Sequence, residues 1–187
     1  MRQALGMTLI ELMVTLAVVA VVVTVAVPSF LGMLQNNRAS AEANRLVGTL
    51  KLARSEAIKR STPVAVCAAN ADQTNCSGAN TWSANGWIMI LDPDGTAGTL
   101  DSDDSMPNSP DDTVLRNYAK PAGSPTIADG GDDFVRFVPS GALDDDSHAA
   151  AVTLTVTHSS CKGDQVRNLS ISPSGQATLY YSACPST

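Results

Sequence analysis

Apolar and polar positions divide the chain near residue 34. From Met7 to Leu34 the only charge is Glu11, and from Leu12 to Val27 sixteen residues run without one. A helix built from this stretch is apolar all round, which suits a bilayer or the inside of an assembly. Met7 to Val27 is 21 residues, and at about 1.5 Å per residue it covers the roughly 30 Å hydrocarbon layer. Past Pro28 the pattern changes but stays helical. Leu46, Leu50, Ala53 and Ala57 recur at i, i+4, i+7 and i+11 with Val47 and Ile58 beside them, which makes one apolar stripe. The opposite face carries Arg38, Arg45, Lys51, Arg54, Lys59 and Arg60 against Glu42 and Glu56, and Pro63 stops the helix. A continuous helix from Met7 to Arg60 would be about 80 Å long, with a bend near Pro28.

An amphipathic second half needs a surface to pack on, and the rest of the chain supplies β pattern. Val64 to Cys67, Trp87 to Leu91, Val114 to Tyr118, Phe134 to Val138, Val152 to Thr157, Val166 to Ile171 and Ala177 to Tyr181 are short apolar or alternating runs bounded by Gly, Pro, Asn and Asp. The clearest is Val152-Thr153-Leu154-Thr155-Val156-Thr157, with one apolar face and one threonine face. Pro139-Ser140-Gly141 and Pro173-Ser174-Gly175 are matched turns. The expected fold class is α+β: a long N-terminal helix whose second half packs on an antiparallel β-sheet head.

Composition and charge sharpen this division. The 187 residues are 44% apolar, with a net charge of −6. The apolar block excludes a purely soluble cytoplasmic domain and a disordered chain, and the acidic balance argues against whole-surface attraction to nucleic acid. Charge is distributed unevenly: residues 38–60 carry a net +4 and residues 61–187 a net −10. Four cysteines, Cys67, Cys76, Cys161 and Cys184, lack C-x-x-C spacing. They allow three pairings, of which Cys67–Cys76 and Cys161–Cys184 close the shortest loops. Disulfides place the hydrophilic part outside the cytoplasm.

The N-terminal block has three readings: a cleaved secretory signal, a permanent membrane span, or a span that also joins an assembly. Arg2 gives the basic start a signal needs, but the apolar run is long and leads into Val27-Pro28-Ser29-Phe30, which suits cleavage poorly. Glu11 separates the other two. A carboxylate in an apolar helix costs on the order of 3 kcal/mol, so it is usually paired or functional, although near a membrane surface it can also snorkel. The string Gly6-Met7-Thr8-Leu9-Ile10-Glu11-Leu12-Met13-Val14 resembles the class III signal of type IV pilins and type II secretion pseudopilins. The resemblance implies cleavage by a prepilin peptidase between Gly6 and Met7, N-methylation of Met7, an assembly role for Glu11 at the fifth mature position and a helix kink at Pro28. The usual first residue is phenylalanine, and Met7 departs from it.

The head carries further marks. Leu52-Ala53-Arg54-Ser55-Glu56-Ala57-Ile58, Asn85-Gly86-Trp87, Phe137-Val138-Pro139-Ser140-Gly141 and Ile171-Ser172-Pro173-Ser174-Gly175 are similar to the GspH/FimT/FimU group of minor pilins. That resemblance implies a small β-rich head, often disulfide-bonded, in a subunit at or near a fibre tip that helps to initiate assembly. It divides the chain into a leader (1–6), a transmembrane and assembly helix (7–34) and a periplasmic or extracellular head (35–187). The implied location is a single pass through the inner membrane, then a fibre. The implied partners are prepilin peptidase, other minor pilins and the major pilin. Pilus and type II secretion pseudopilus share this chemistry, and the head features favour the pilus. Members of the group that bind DNA for uptake are associated with a Gly-Arg-x-Arg run, whereas the matching stretch here is Gly175-Gln176-Ala177-Thr178. DNA binding therefore ranks last.

Other chemistry finds little support. Asp92-Pro93-Asp94-Gly95 has the start of a calcium loop, but the third ligand before the glycine and the distal glutamate are missing. A solvated loop is the expectation there. His148 and His158 are the only histidines and are expected at or near a strand surface. No metalloprotease helix, phosphate-binding glycine loop or nucleophile elbow is present. The sequence predicts an interaction protein without a catalytic site, metal or cofactor.

Overall fold

The computed structural model describes residues 8–79, 82–93, 112–123, 125–131, 133–148 and 150–185. Its first element, α1 (Leu9–Arg60), is a single helix of 52 residues. Thr8 caps it by accepting the Glu11 N–H, and Lys59 and Arg60 lie in its last turn, where positive charge meets the carbonyl end of the helix. Ser61 closes it in a left-handed conformation, its N–H reaching Ala57 and Ile58 carbonyls. The Pro28 side chain, expected to kink this helix, lies outside the described residues, as do Gly6 and Met7.

The apolar stripe predicted for the second half extends further than the sequence pattern alone suggested. Ala39, Ala43, Leu46, Leu50, Ala53 and Ala57 are all buried completely. Alanine at four of the six positions lets the helix approach the head closely, while Leu46 and Leu50 fill the space at the centre. Burial of each leucine is worth about 1.5–3 kcal/mol.

Among the described residues, eight strands form two antiparallel sheets. The first has the order β3-β2-β1-β5, from β1 (Val64–Ala68), β2 (Trp87–Leu91), β3 (Thr113–Tyr118) and β5 (Phe134–Phe137). The second has the order β4-β6-β7-β8, from β4 (Thr126–Asp129), β6 (Val152–Thr157), β7 (Val166–Ile171) and β8 (Ala177–Ser182). One core joins α1 to the inner faces of both sheets through Leu46, Leu50, Val66, Met89, Phe137, Leu154 and Leu169. The two sheets differ on their outer faces. Ala65, Cys67, Ile88 and Ile90 make a second apolar cluster outside the first sheet, which is why β1 is buried at every position. Outside the second sheet, Thr153, Thr155 and Thr157 are half-buried, as the strict alternation of β6 predicts.

The seven predicted strands are present, and the single expected sheet resolves into two. Strand β4 and the short helix α2 (Trp82–Asn85), four residues each, are additional to the predicted elements. Two disulfides close the loops, Cys67–Cys76 and Cys161–Cys184, with Cα separations of 5.6 and 5.8 Å.

Candidate assembly interface

The first half of α1 has no head to pack on. Leu9 is 76% exposed and Phe30 64%, and between them Leu12, Met13, Val14, Leu16, Val18, Val19, Val21, Val22 and Val23 are all exposed on successive faces of the helix. The hydroxyls in this stretch turn inward to the helix: Thr15 Oγ1 donates to the Leu12 carbonyl at 2.8 Å and Thr24 Oγ1 to the Val21 carbonyl at 2.7 Å. This removes their need for water. Among the described residues no helix is long and apolar enough to cross a membrane. The run of described side chains from Leu9 to Thr24 would extend about 24 Å.

Glu11 is exposed and is the only charge on this half. Its N–H lies 3.3 Å from Thr8 Oγ1, so Thr8 and Glu11 occupy the spacing of a capping box. That spacing is visible in Thr8-Leu9-Ile10-Glu11, and the sequence reading overlooked it. The helix therefore has a start signal of its own that coincides with the assembly string.

Three arginines hold the second half of α1 to the head. Arg45 donates to the Ala119 carbonyl at 2.6 Å, pairs with Glu42 at 2.9 Å and lies 4.4 Å over the Trp87 ring. Arg54 donates to the Gly141 carbonyl at 2.8 Å and the Ser174 carbonyl at 3.1 Å. Arg167, buried on β7, reaches in the opposite direction, to Ser40 Oγ at 2.7 Å and the Asn36 carbonyl at 3.1 Å. It marks the point where α1 leaves the head. The basic face is thus used at Arg45 and Arg54 for backbone contacts, while Lys59 and Arg60 pair with Glu56 at 3.8 and 2.6 Å. Arg60 holds the Glu56 carboxyl below its ordinary value by direct hydrogen bonding; partial burial opposes this, and the charge of Lys59 adds to it.

The matched Pro-Ser-Gly turns meet at Arg54. Gly141 and Gly175 have φ of +82° and +77°, and a Cβ on Gly175 would lie 2.0 Å from the Gly141 carbonyl oxygen. Glycine is required there both for conformation and for space. The Leu143 N–H donates to the Pro173 carbonyl at 2.9 Å, closing the two turns onto each other. Four motifs distant in sequence therefore have a common structural role. Three of them fix the end of α1, and Asn85-Gly86-Trp87 supports the centre through the Trp87 Nε1 hydrogen bond to Thr49 at 3.2 Å.

Several expectations need correction. Asp92 does not lie in a solvated loop: it is buried, with its carboxylate 3.2 Å from Arg136 Nε. Arg136 also pairs with Asp144 at 3.2 Å. A buried ion pair of this kind locks the end of β2 to β5. His148 and His158 are likewise buried rather than at a strand surface. His148 Nε2 accepts the Arg136 N–H at 3.2 Å. Burial holds His158 below the ordinary histidine value of 6.5; the Gln165 side chain opposes that shift, and the charge of Arg167 adds to it. Among the described residues no group of His, Cys, Asp and Glu could hold a metal ion.

Comparison with known proteins follows this geometry. The fold is similar to that of the type IV minor pilin FimU from Pseudomonas aeruginosa in two crystal forms. The TM-scores are 0.52 and 0.50 at 21% and 20% identity, covering 77% and 75% of this chain and 89% and 91% of the FimU chains. The minor pseudopilin EpsH from the type 2 secretion system of Vibrio cholerae aligns with a TM-score of 0.39 at 12% identity, over 78% of this chain and 97% of that one. No curated protein shows significant similarity to the chain. Residues 1–27 match the prokaryotic N-terminal methylation motif. Residues 42–175 match the family described as type II transport protein GspH, and the chain belongs to that family of minor pilins and pseudopilins.

Proposed function

We propose that the protein is a minor type IV pilin, made as a prepilin, cut after Gly6, held in the inner membrane by residues 7–34 and incorporated into a fibre with its head on the periplasmic side. It takes part in initiating or capping assembly. Its work is binding between subunits, without catalysis. The observation that carries this reading is the contrast within α1: apolar side chains exposed around the whole first half with Glu11 as the only charge, and a second half locked into the head.

Cleavage after Gly6 supplies the physical reason for Glu11. The new amine of Met7 lies four residues away, and in a fibre of staggered helices it can meet the carboxylate of a neighbouring subunit. In a low dielectric an unpaired carboxylate is strongly disfavoured, so the pairing selects the assembled state. Glu11→Gln is expected to insert in the membrane at normal level and to enter fibres poorly, read by immunoblot of sheared material. Normal incorporation would remove the role assigned to Glu11. Intact mass of the mature chain tests the processing: residues 1–6 absent and one methyl added supports it, whereas a start near residue 28 makes the protein an ordinary secreted domain.

The match of residues 42–175 to GspH favours a second reading, a minor pseudopilin of a type II secretion system. Co-purification separates the two. Recovery with pilus subunits supports the first, and recovery with secretion components alone supports the second.

A further inference from the structure

Four strands form the edges of the two sheets, and three of them have outward backbone groups occupied by the protein itself. On β4, the Ile127 N–H donates to Ser83 Oγ at 2.6 Å, and that hydroxyl lies 3.3 Å from the Ile127 carbonyl. On β5, the Arg136 N–H donates to His148 Nε2 at 3.2 Å, the Arg136 carbonyl accepts the Asp144 N–H at 3.1 Å, and Phe137 bridges to Leu143. On β3, pairing with β2 shifts register between Met89 and Ile90, Gln73 Nε2 donates to the Tyr118 carbonyl at 3.0 Å, and Arg116 is exposed. These are the usual means of blunting a sheet edge.

The remaining edge, β8, has none of them. It pairs with β7 over all six of its residues without a register shift. It contains no proline and no charge, and among the described residues nothing bonds to its outer side. Tyr180 is 48% exposed and Tyr181 59%, and tyrosine is among the residue types enriched at the energetic centres of interfaces. At the start of β8 a groove of about 330 Å³ separates it from α1, lined by Lys51, Arg54, Ile58, Gln176 and Ala177 among others. Arg54 is committed to two carbonyls. Lys51 is exposed, makes no ion pair among the described residues, and has no acidic residue beside it in the groove.

We propose that β8 is the docking edge for an extended segment of a different fibre subunit, which adds as a fifth strand to the second sheet and places a carboxylate against Lys51. The proposal rests on the reading that this protein acts through contacts between subunits. Main-chain pairing along β8 supplies the affinity, and the groove supplies the selection. The occupant is a different chain because, among the described residues, this one has no sheet edge that answers Lys51. Strands β3, β5 and β8 contain no acidic residue, and the only carboxylate of β4, Asp129, accepts the Trp82 Nε1–H at 2.8 Å.

The test uses the full-length chain in cells that assemble the fibre. A photo-crosslinking p-benzoylphenylalanine replaces Tyr180 or, in parallel, Thr178, with Thr126 on the opposite edge as control. Adducts are mapped by mass spectrometry, and entry of the chain into sheared fibres is read from the same cells. The expected result is an adduct at Tyr180 or Thr178, in several-fold excess over Thr126, within an extended segment of another subunit that carries Asp or Glu. Lys51→Glu is expected to lower that adduct by about fivefold or more and Lys51→Arg to retain it, as for a rim charge that selects a partner. An adduct to a second copy of this chain, to a segment without a carboxylate, or one indifferent to Lys51→Glu would overturn the proposal. A chain that enters fibres with no excess adduct overturns the edge alone, and a chain absent from fibres overturns the subunit reading as well.

Discussion

The two halves of α1 belong to one continuous helix and are written in different physical terms. From Leu9 to Thr24 the described side chains are exposed and, Glu11 and two threonines apart, apolar around the circumference; from Ala39 to Ala57 they are apolar along one stripe and buried. The first half draws no stability from the head. The second half draws most of its stability from it, because a helix gains more from packing an apolar stripe than from its intrinsic propensity. Continuity of the backbone then transmits position: whatever surface receives the first half also sets where the head stands. The dividing point is marked chemically by Arg167, which ties Asn36 and Ser40 to β7.

Equivalent cuts in the two halves should produce opposite results. Leu50→Ala opens the core at its centre and is expected to cost about 2–5 kcal/mol. Urea unfolding of the full chain in detergent would show it, followed by the fluorescence of Trp82 and Trp87, both fully buried in the head. Leu16→Ala should leave that transition within about 0.5 kcal/mol while lowering fibre incorporation. A large loss of head stability from Leu16→Ala would mean that the halves are not energetically separate. Removing the Cys161–Cys184 bridge by paired alanine substitution is expected to cost about 2–4 kcal/mol by the same measurement.

The latch at Arg54 sharpens the comparison at smaller scale. Arg54→Ala removes hydrogen bonds to the Gly141 and Ser174 carbonyls, and a loss of about 1–3 kcal/mol is expected, most of it from the Gly141 carbonyl, which is partly buried and loses a charged donor. Lysine should not restore it, since one ammonium cannot reproduce the guanidinium fork that reaches both turns. Gly175→Ala, which forces a Cβ toward the Gly141 carbonyl at positive φ, should cost a similar amount through strain. Equal stability in both variants would show that the Pro-Ser-Gly turns are held by something other than α1.

The helix stripe and seven strands were legible because periodicity records which face is covered. Strand β4 was not, since Thr126-Ile127-Ala128-Asp129 is four residues with one large apolar side chain, too short for alternation to register. The contacts of the basic face were not legible for a different reason: Arg45 and Arg54 bond to backbone carbonyls, and a carbonyl acceptor leaves no trace in residue type. Asp92 and Arg136 are 44 positions apart, so their pairing belongs to the fold and to no local pattern. In the first half of α1 the opposite holds. Glu11 was conspicuous in sequence because an isolated charge in an apolar run is costly wherever the chain goes, whereas Thr8 as its cap emerged only from the structure.

The smallest expected effect concerns the dividing point itself. His158 follows β6, is buried, and lies within the field of Arg167. Burial lowers its pKa below 6.5, with Gln165 opposing and Arg167 reinforcing the shift. The unfolded chain therefore binds the proton more readily than the folded one, and stability from this group is complete above the ordinary histidine value. It declines as pH falls below about 6.5 and is lost as pH falls through the depressed folded value. Protonation would also set a second positive charge beside the guanidinium that holds Asn36 and Ser40. Glu56 has a lowered pKa as well, but its contribution changes below the ordinary value of 4.5, so a series from pH 7.5 to 5 leaves the two buried histidines, His148 and His158, and substitution of His158 separates them. Urea midpoints of the full chain in detergent are expected to fall over that range, and His158→Gln is expected to flatten the fall. Midpoints that decline equally in both chains would assign the pH dependence to other groups and leave Arg167 as a latch indifferent to its neighbour.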